Sequence, residues 1–222
     1  MARVVTIDGP SGSGKGTLAR LLAERLGWHC LDSGALYRLV GLAAERAGVS
    51  LDDPAALAAV ARGLEAEFAG ERVLLGGEDV SLAIRTEQAG SLASKVAAVP
   101  AVRAALLDWQ RACAREPGLV ADGRDMGTVV FPAAQVKVFL TASAEERARR
   151  RHKQLLEKGI SANFAHLVAE IRARDERDRT RAVAPLKAPA AALEIESTAL
   201  PIAEVLDRVL ERVRSAFPDL AG

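Results

Sequence analysis

The sequence predicts an α/β fold in which helices cover both faces of a parallel β-sheet. One observation is that short apolar runs of strand length alternate along the chain with amphipathic stretches of helical periodicity. Another is that the first apolar run passes through a glycine-rich turn directly into a helical pattern. In addition, 50% of the 222 residues are hydrophobic, so the chain is able to bury a substantial core.

The predicted elements begin with a strand, a turn and a helix. RVVTID (3–8) has the length and composition of a buried strand, and GPSGSGKGT (9–17) is the turn. Leucines recur at helical spacing from Lys15 to Leu26, which predicts the first helix. Further strands are predicted at WHCL (28–31), GLVAD (118–122), VKVFL (136–140) and ALEIE (192–196).

The region between about residues 63 and 85 interrupts this alternation. AEFAG, ERVLLGG and EDVSL are short strand-like runs separated by glycine turns, so we interpret the region as a small antiparallel insertion. Helical patterns resume at about residues 86–96 and 101–115, and Pro100 marks the start of the second of them.

Composition excludes several classes of protein. The 30 basic and 29 acidic residues nearly cancel, so no global charge favours DNA or an anionic membrane. Cys30, Cys113 and the three histidines show no metal-ligand spacing, and the cysteines are expected to be reduced. Because no signal-peptide core or membrane-spanning apolar stretch is found, we expect a cytoplasmic protein.

The turn at residues 9–17 is almost a standard phosphate-binding loop. It fits G-x-x-x-x-G-K-[ST] through Lys15, but Gly16 occupies the position of the metal-binding hydroxyl and Thr17 follows one residue late. Its glycines let backbone N–H groups point inward, the following helix adds its positive dipole end, and Lys15 supplies a charge for the β- and γ-phosphates. A flexible linker is the alternative, but a linker would not lie between a strand and an amphipathic helix. The predicted nucleoside triphosphate site comprises Gly9, Pro10, Ser11, Gly12, Ser13, Gly14, Lys15, Gly16 and Thr17.

LDSGALYR (31–38) is a second candidate anion site. Asp32 or Ser33 is expected to cap the next helix. Ser33, Tyr37 and Arg38 then lie about one helical turn apart, so their polar groups can converge on one anion. A capped helix with a surface tyrosine and arginine is the alternative.

LVADGRDMGTVVFP (119–132) places charges after a buried strand. Asp122 lies at the carboxyl end of that strand, where doubly wound sheets bind ligands, so it can hold or orient waters around Mg²⁺. Gly123 permits a sharp turn, and Arg124 and Asp125 follow it. Two structural caps are the alternative reading of these charges.

Two charged stretches follow. Arg147, Arg150 and Arg151 share a helical face that suits a mobile basic flap over phosphoryl oxygens, although a solvated face is the alternative. The next helix continues an apolar stripe into paired charges. Such charges are costly on an inward face unless they are paired or meet a polar ligand, but the helix end could also simply pass into solvent. This stripe runs through Phe164, Leu167, Val168 and Ile171 to Asp175 and Asp178, which are flanked by Arg174 and Arg181.

Taken in this order and spacing, GPSGSGKGT, LDSGALYR, ADGRDMGTVVFP and RDERDRTRAVAPL resemble the bacterial cytidylate kinase family, nucleoside monophosphate kinases of the P-loop class. The resemblance runs from Val4 to the C-terminal helix, and Gly16 is expected in that family. It implies a P-loop NTPase three-layer sandwich with a five-stranded parallel sheet, a small antiparallel β insertion and a helical LID. The implied regions are a CORE (about 1–35, 100–148 and 182–222), an acceptor-binding region (about 36–99), a LID (about 149–162) and a returning helix (about 163–181).

The resemblance also implies roles for individual residues. The implied reaction is phosphoryl transfer from ATP with Mg²⁺ to CMP or dCMP. Because Gly16 follows the lysine, Mg²⁺ would depend on Thr17, on waters oriented from Asp122, or on the oxygens of the nucleotide itself. Lys15, Arg124, Arg181, Arg147 and Arg151 would be catalytic. The acceptor phosphate would be bound by Ser33, Tyr37, Arg38, Arg124 and Arg181, the ribose by Arg174 and Asp178, and the cytosine by Ser94, Arg103 and Asp125.

The cytosine assignment is consistent with hydrogen-bond chemistry. Cytosine has acceptors at O2 and N3 and an amino donor at N4, which complement an arginine and an aspartate. Uracil has a carbonyl in place of that amino group, so UMP is expected to be the weaker acceptor, and a purine is expected to be too large.

Two other functions remain as alternatives: a P-loop kinase for another small acceptor, and a nucleotide-dependent switch or nucleic-acid ATPase. The motif ADGRDMG and the paired charges of the late helix count against the first. The absence of an N-K-x-D signature and of a basic stripe counts against the second. The expected partners are therefore small molecules rather than nucleic acid or a membrane, and the expected state is a monomer.

Overall fold

The structure is a computed structural model that describes residues 2–70, 72–157, 159 and 161–220. Glu71, in the predicted β insertion, and Lys158 and Ile160, in the predicted LID, lie outside the described residues. The strands are β1 (Val4–Asp8), β2 (His29–Asp32), β3 (Ala66–Ala69), β4 (Arg72–Leu75), β5 (Glu78–Asp79), β6 (Leu119–Gly123), β7 (Val136–Thr141) and β8 (Leu193–Glu196). The helices are α1 (Lys15–Leu26), α2 (Ser33–Arg46), α3 (Pro54–Arg62), α4 (Glu87–Val96), α5 (Pro100–Ala112), α6 (Ala144–Glu157), α7 (Phe164–Thr180) and α8 (Ile202–Ala216).

The central sheet confirms the predicted fold class. Its five strands lie in the order β2-β6-β1-β7-β8, and β1 pairs in parallel with both β6 and β7, while β7 pairs in parallel with β8. Every residue of β1 and β6 is buried, as expected for inner strands of a sheet whose two faces are covered. In the register of these strands Asp8 lies opposite Gly123. The phosphate loop and the charged turn after β6 therefore leave the same edge of the sheet.

The chain divides into two compact units, and the first comprises residues 1–31 and 113–222. Its core contains β1, β7, α1 and α8, whose buried aliphatic side chains form one cluster. Trp28 packs in this core, and its ring lies 5.6 Å from that of Phe217. The backbone of Gly118 approaches Trp28 so closely that a Cβ there would lie 2.4 Å from the indole. Only glycine fits at this position.

The second unit comprises residues 32–112. Its antiparallel sheet, in the order β3-β4-β5, confirms the predicted β insertion. Helix α5 belongs to this unit, whereas the sequence assigned its residues to the CORE, because its apolar face packs with α3 and α2 around Leu57. Trp109 is 38% exposed, and its ring lies 6.0 Å from that of Phe68.

No single helix of the described ranges is long and apolar enough to span a membrane. Helices α4 and α5 meet the length and composition test only as a pair bent by 100°.

Candidate active site

The phosphate loop in the first unit is shaped by close backbone approaches. Gly14, which precedes α1, has a φ of 96°, a left-handed conformation that side chains rarely adopt. A Cβ at Gly9 would lie 2.0 Å from the carbonyl oxygen of Leu140. Lys15 begins α1 with 9% of its surface exposed, and its Nζ donates to the carbonyl of Pro10 at 3.1 Å. The loop residues thus wrap around the position of the Lys15 ammonium group.

Asp122 lies beside the residue that replaces the usual hydroxyl of the loop. A Cβ at Gly16 would be 3.3 Å from Oδ2 of Asp122, so a serine or threonine side chain there would crowd the carboxylate. Asp122 is buried, whereas Thr17 is exposed. Asp122 therefore lies next to the phosphate loop, and its role toward Mg²⁺ stays a prediction.

The oxygen groups near the loop are better suited to Mg²⁺, which also binds waters and substrate phosphates, than to a metal ion that is bound by protein ligands alone. Within the described ranges no group of three or more His, Cys, Asp or Glu side chains is arranged to hold a metal ion. Mg²⁺ commonly uses one or two carboxylates together with waters and substrate phosphates. Asp122 near the loop meets that requirement.

Asp8 is a buried carboxylate that the sequence did not single out. Its two oxygens accept hydrogen bonds of 2.8 Å each from the N–H groups of Met126 and Gly127, which open a single π-helical turn, Met126–Val130. Burial raises the pKa of Asp8 to about 6, although the two backbone hydrogen bonds partly oppose this shift. The carboxylate thereby joins the end of β1 to the charged turn after β6.

The raised pKa of Asp8 predicts a pH-dependent stability. The folded chain binds more protons than the unfolded chain between the ordinary pKa of 3.8 and about 6, so the contribution of this group falls as the pH rises through that window. From pH 4.5 to pH 7.5 the free energy of unfolding of the wild type should fall by about 2 kcal/mol relative to Asp8→Asn, which does not titrate. Urea unfolding of both proteins at the two pH values measures this change. A difference that stays constant with pH would contradict the assignment.

Arg124 and Asp178 form a largely buried ion pair. Nε of Arg124 donates to Oδ2 of Asp178 at 2.8 Å. Burial of Asp178 raises its pKa, but the charges of Arg124 and Arg174, the hydrogen bond from Arg124 and the charge of Arg181 outweigh that effect. The pKa therefore lies below its ordinary value, and the carboxylate stays ionised at neutral pH.

A second pair joins the turn after β6 to the residue that follows α7. Nη2 of Arg181 lies 3.5 Å from Oδ1 of Asp125, and both side chains are almost fully buried. The sequence expected Asp175 and Asp178 to be paired on an inward face, and both are paired with arginines. The apolar stripe before them is buried at Leu167, but Phe164 is 40% exposed. The inward face therefore begins one turn later than its sequence pattern indicated.

Arg147 does not lie on an exposed basic flap. Its side chain is only 4% exposed and forms a two-pronged ion pair with Asp175. It also donates to the carbonyls of Ala142 and Ser11, at 2.9 and 3.0 Å. The expectation of a mobile basic side chain is thus wrong for Arg147, because the phosphate loop and α7 enclose it. Arg151, on the same helix, is half-buried.

In the second unit the predicted anion-binding residues lie on α2. Asp32 is the N-cap, since its Oδ1 accepts from the N–H of Ala35 at 2.9 Å. The hydroxyl of Ser33 is thereby spared from capping and donates to Oε1 of the buried Gln110 at 2.9 Å. Arg38 donates to the carbonyls of Ile84 and Thr86 on the segment before α4, at 2.6 and 3.2 Å.

The other predicted acceptor residues of this unit are Tyr37 on α2, Ser94 on α4 and Arg103 on α5. The guanidinium of Arg103 stands 5.7 Å from the centre of the Tyr37 ring, within the range of a cation–π interaction. Nη1 of Arg103 also donates to the carbonyl of Ala97 at 3.3 Å, and Ser94 is buried. The structure therefore brings Tyr37 and Arg103 together, which their separation in sequence did not require.

The sequence reasoning missed four residues that support these groups: Asp8, Gln110, Asp175 as a partner of Arg147, and Ser197. Asp8 had a detectable signal, because it ends a buried strand, much as Asp122 lies one residue before the end of another. The hydroxyl of Ser197 lies 3.3 Å from the carbonyl oxygen of Ser13, across 184 residues of sequence. No local pattern predicts such a contact.

Comparisons with known proteins identify a family for the chain. The model of the cytidylate kinase family matches residues 5–215. Cytidylate kinases of Aeromonas salmonicida and Pseudomonas syringae pv. tomato are 61% and 59% identical to the chain, and each alignment covers 100% of the chain and 98% of the relative. A solved gluconokinase from Sinorhizobium meliloti has a TM-score of 0.54 at 15% identity, over 99% of this chain and 96% of that one. That last likeness concerns the fold alone.

Proposed function

The chain belongs to the cytidylate kinase family, and from this premise we propose that it transfers the γ-phosphoryl group of ATP to the 5′-phosphate of CMP or dCMP. The products are ADP and CDP or dCDP. The single observation that carries the proposal is the full-length identity of 61% to a cytidylate kinase. The phosphate loop and the buried arginines that follow β6 and α7 support it, because phosphoryl transfer needs positive charge to bind and neutralise phosphate oxygens.

The donor side of the reaction is proposed to use residues 9–17. Backbone N–H groups of the loop and the N-terminus of α1 would bind the phosphates of ATP, with Lys15 as a point charge. Thr17 and Asp122, the latter through water, would hold Mg²⁺. When bound, the metal ion supplies positive charge between the phosphate groups and helps to align them.

The acceptor side is proposed to use arginines as its main phosphate ligands. Arg38, Arg124 and Arg181 would bind the acceptor phosphate with Ser33 and Tyr37, since guanidinium groups match phosphate oxygens. The ion pairs of Arg124 and Arg181 support this role, because their aspartates hold the guanidinium groups in place.

The nucleoside is proposed to be recognised by two further groups. Arg174 and Asp178 would contact the ribose, and Ser94, Arg103 and Asp125 would contact the cytosine. A carboxylate at Asp125 is complementary to the N4 amino group of cytosine and opposes the O4 carbonyl of uracil.

No general base is required for this reaction, because the acceptor phosphate is already ionised at neutral pH. Catalysis would rest on alignment and charge neutralisation by Lys15, Arg124, Arg181 and Arg151. Exclusion of water from the aligned phosphates would limit hydrolysis of ATP.

A coupled assay of ADP release tests the proposed function. The acceptors are CMP, dCMP, UMP, AMP and GMP, each at several concentrations, and a reaction without acceptor is the control. The proposal expects turnover with CMP and dCMP well above that with UMP, and none with the purines. Turnover with another acceptor alone would indicate a different P-loop kinase. Hydrolysis that needs no acceptor would indicate a nucleotide-dependent switch.

A further inference from the structure

We propose that Arg147 and Arg150 are positioning residues that hold the phosphate loop in its anion-binding shape, and that they do not contact the transferred phosphoryl group. The proposal rests on the proposed donor site at residues 9–17. It concerns two arginines at the start of α6 whose guanidinium groups are directed at backbone carbonyls of the loop.

Arg147 is committed to protein partners. A guanidinium has five N–H donors, and Nε and both terminal nitrogens of Arg147 already donate to Ala142, Ser11 and Asp175. A Cβ placed on Gly12 would lie 3.2 Å from the Cβ of Arg147. The side chain therefore packs against the loop backbone, and it is too occupied to serve a substrate phosphate.

Arg150 makes a matching set of contacts one turn later. Its Nη1 donates to the carbonyl of Ser13 at 3.1 Å, and its Nη2 donates to the carbonyl of Ser197 at 2.7 Å. Nε of Arg150 pairs with Glu146 at 3.1 Å. The hydroxyl of Ser197 has one hydrogen to donate and lies 2.9 Å from the carbonyl of Thr141 and 3.3 Å from that of Ser13.

Peptide geometry explains why these carbonyls matter. The C=O and N–H of a trans peptide point in opposite directions in one plane. Holding the carbonyl of Ser11 toward Arg147 therefore turns the N–H of Gly12 away from Arg147, and holding the carbonyl of Ser13 toward Arg150 does the same for Gly14. Inward N–H groups are what a phosphate loop presents to an anion. The two arginines thus fix alternate peptide planes of the loop.

The partner of Arg147 extends the effect to α7. Asp175 accepts both prongs of the Arg147 guanidinium, and Asp178, one turn later on the same helix, pairs with Arg124. Loss of the Asp175 charge should therefore make the loop more mobile at Gly12, even though every side chain that contacts the loop directly is still present.

The test compares three arginines on one helix. Arg147→Met and Arg150→Met remove the loop contacts, while Arg149→Met is the matched control, because Arg149 is exposed and pairs only with Glu146 among the contacts found in the described chain. Asp175→Asn is a fourth variant that leaves both arginines in place. The measurements are backbone amide NMR and amide exchange of Gly12 and Gly14 without nucleotide, ATP affinity by calorimetry, and the KM for CMP at saturating ATP.

We expect Arg150→Met to shift the Gly14 amide resonance in the nucleotide-free protein and to weaken ATP binding by about tenfold. Its KM for CMP should stay within about twofold of the wild type, as expected for a loss confined to the donor site. Asp175→Asn should speed amide exchange at Gly12, and Arg149→Met should change none of these quantities. If Arg147→Met does not fold, Arg150→Met and Asp175→Asn still carry the test.

Unchanged Gly12 and Gly14 amides in folded Arg150→Met and Asp175→Asn variants would overturn the proposal. So would a fall in kcat with normal ATP affinity, since it would indicate contact with the phosphoryl group in the transition state. The loop measurements need no acceptor. Failure of the wild type to phosphorylate CMP would therefore refute the proposed function without affecting this result.

Discussion

Replacement of Lys15 by alanine is expected to lower kcat by about two to three orders of magnitude. Lys15 is the one side chain of the phosphate loop motif that carries a charge, and its Nζ lies at the carbonyl of Pro10 within the loop. Without the Lys15 ammonium group, the negative charge that develops during transfer is less well stabilised. The fold should survive, because the Lys15 side chain contributes to none of the apolar clusters of the first unit.

The steady-state assay with ATP and CMP measures this effect, and circular dichroism with thermal unfolding monitors the fold. Arg20→Met is a suitable control on the same helix, since Arg20 is exposed and pairs with Glu24 one turn away. Exposed pairs of this kind contribute about 0.3–0.5 kcal/mol to stability, so this variant should keep normal turnover. Near-normal kcat in a folded Lys15→Ala protein would refute the assigned role of the loop.

Replacement of Asp125 by alanine is expected to remove most of the preference for CMP over UMP, a change of about ten- to a hundredfold in the ratio of kcat/KM values. In the proposed site the carboxylate would accept from the cytosine amino group but would face the uracil carbonyl as one acceptor against another. Removal of the carboxylate removes both the attraction and the repulsion. An unchanged ratio would exclude Asp125 from recognition of the base.

Asp125→Asn separates base recognition from the ion pair with Arg181. Alanine leaves that buried guanidinium without its partner at 3.5 Å, and this alone would lower activity with both acceptors. Asparagine keeps the shape and adds an amide donor that can meet the uracil carbonyl. The ratio should then shift toward UMP by more than in the alanine variant. Equal losses with CMP and UMP in both variants would instead assign Asp125 a purely structural role.

The features that the sequence predicted correctly are those that depend on residues close to one another along the chain. The glycine-rich loop, the start of α1 at Lys15 and the β insertion all agree with the structure, because turn chemistry and side-chain periodicity are local properties. The order of short strands predicted the parallel sheet for the same reason. The paired aspartates of α7 were also detectable, since a charge on an apolar stripe signals a buried partner.

Predictions that needed a distant partner were less successful. Helical spacing placed Arg147 and Arg150 on one face of α6. It did not show whether their side chains are mobile and exposed or hydrogen-bonded to the phosphate loop. Arg147 meets the carbonyl of Ser11 across 136 residues of sequence. Similarly, the sequence did not predict that α5 packs with α2 and α3, because its periodicity shows an apolar face but not which helices cover it.

By itself, the sequence determined the phosphate loop, the order of strands and helices, and the resemblance from which a cytidylate kinase was expected. Only the tertiary structure decided that the buried Arg147 donates to the carbonyl of Ser11, that Asp8 accepts from the backbone of the turn after β6, and that Ser33 donates to Gln110. The physical reason is that a guanidinium, a carboxylate or a hydroxyl acts through whatever lies within about 3 Å of it. For these side chains that neighbour comes from packing of elements far apart in the chain.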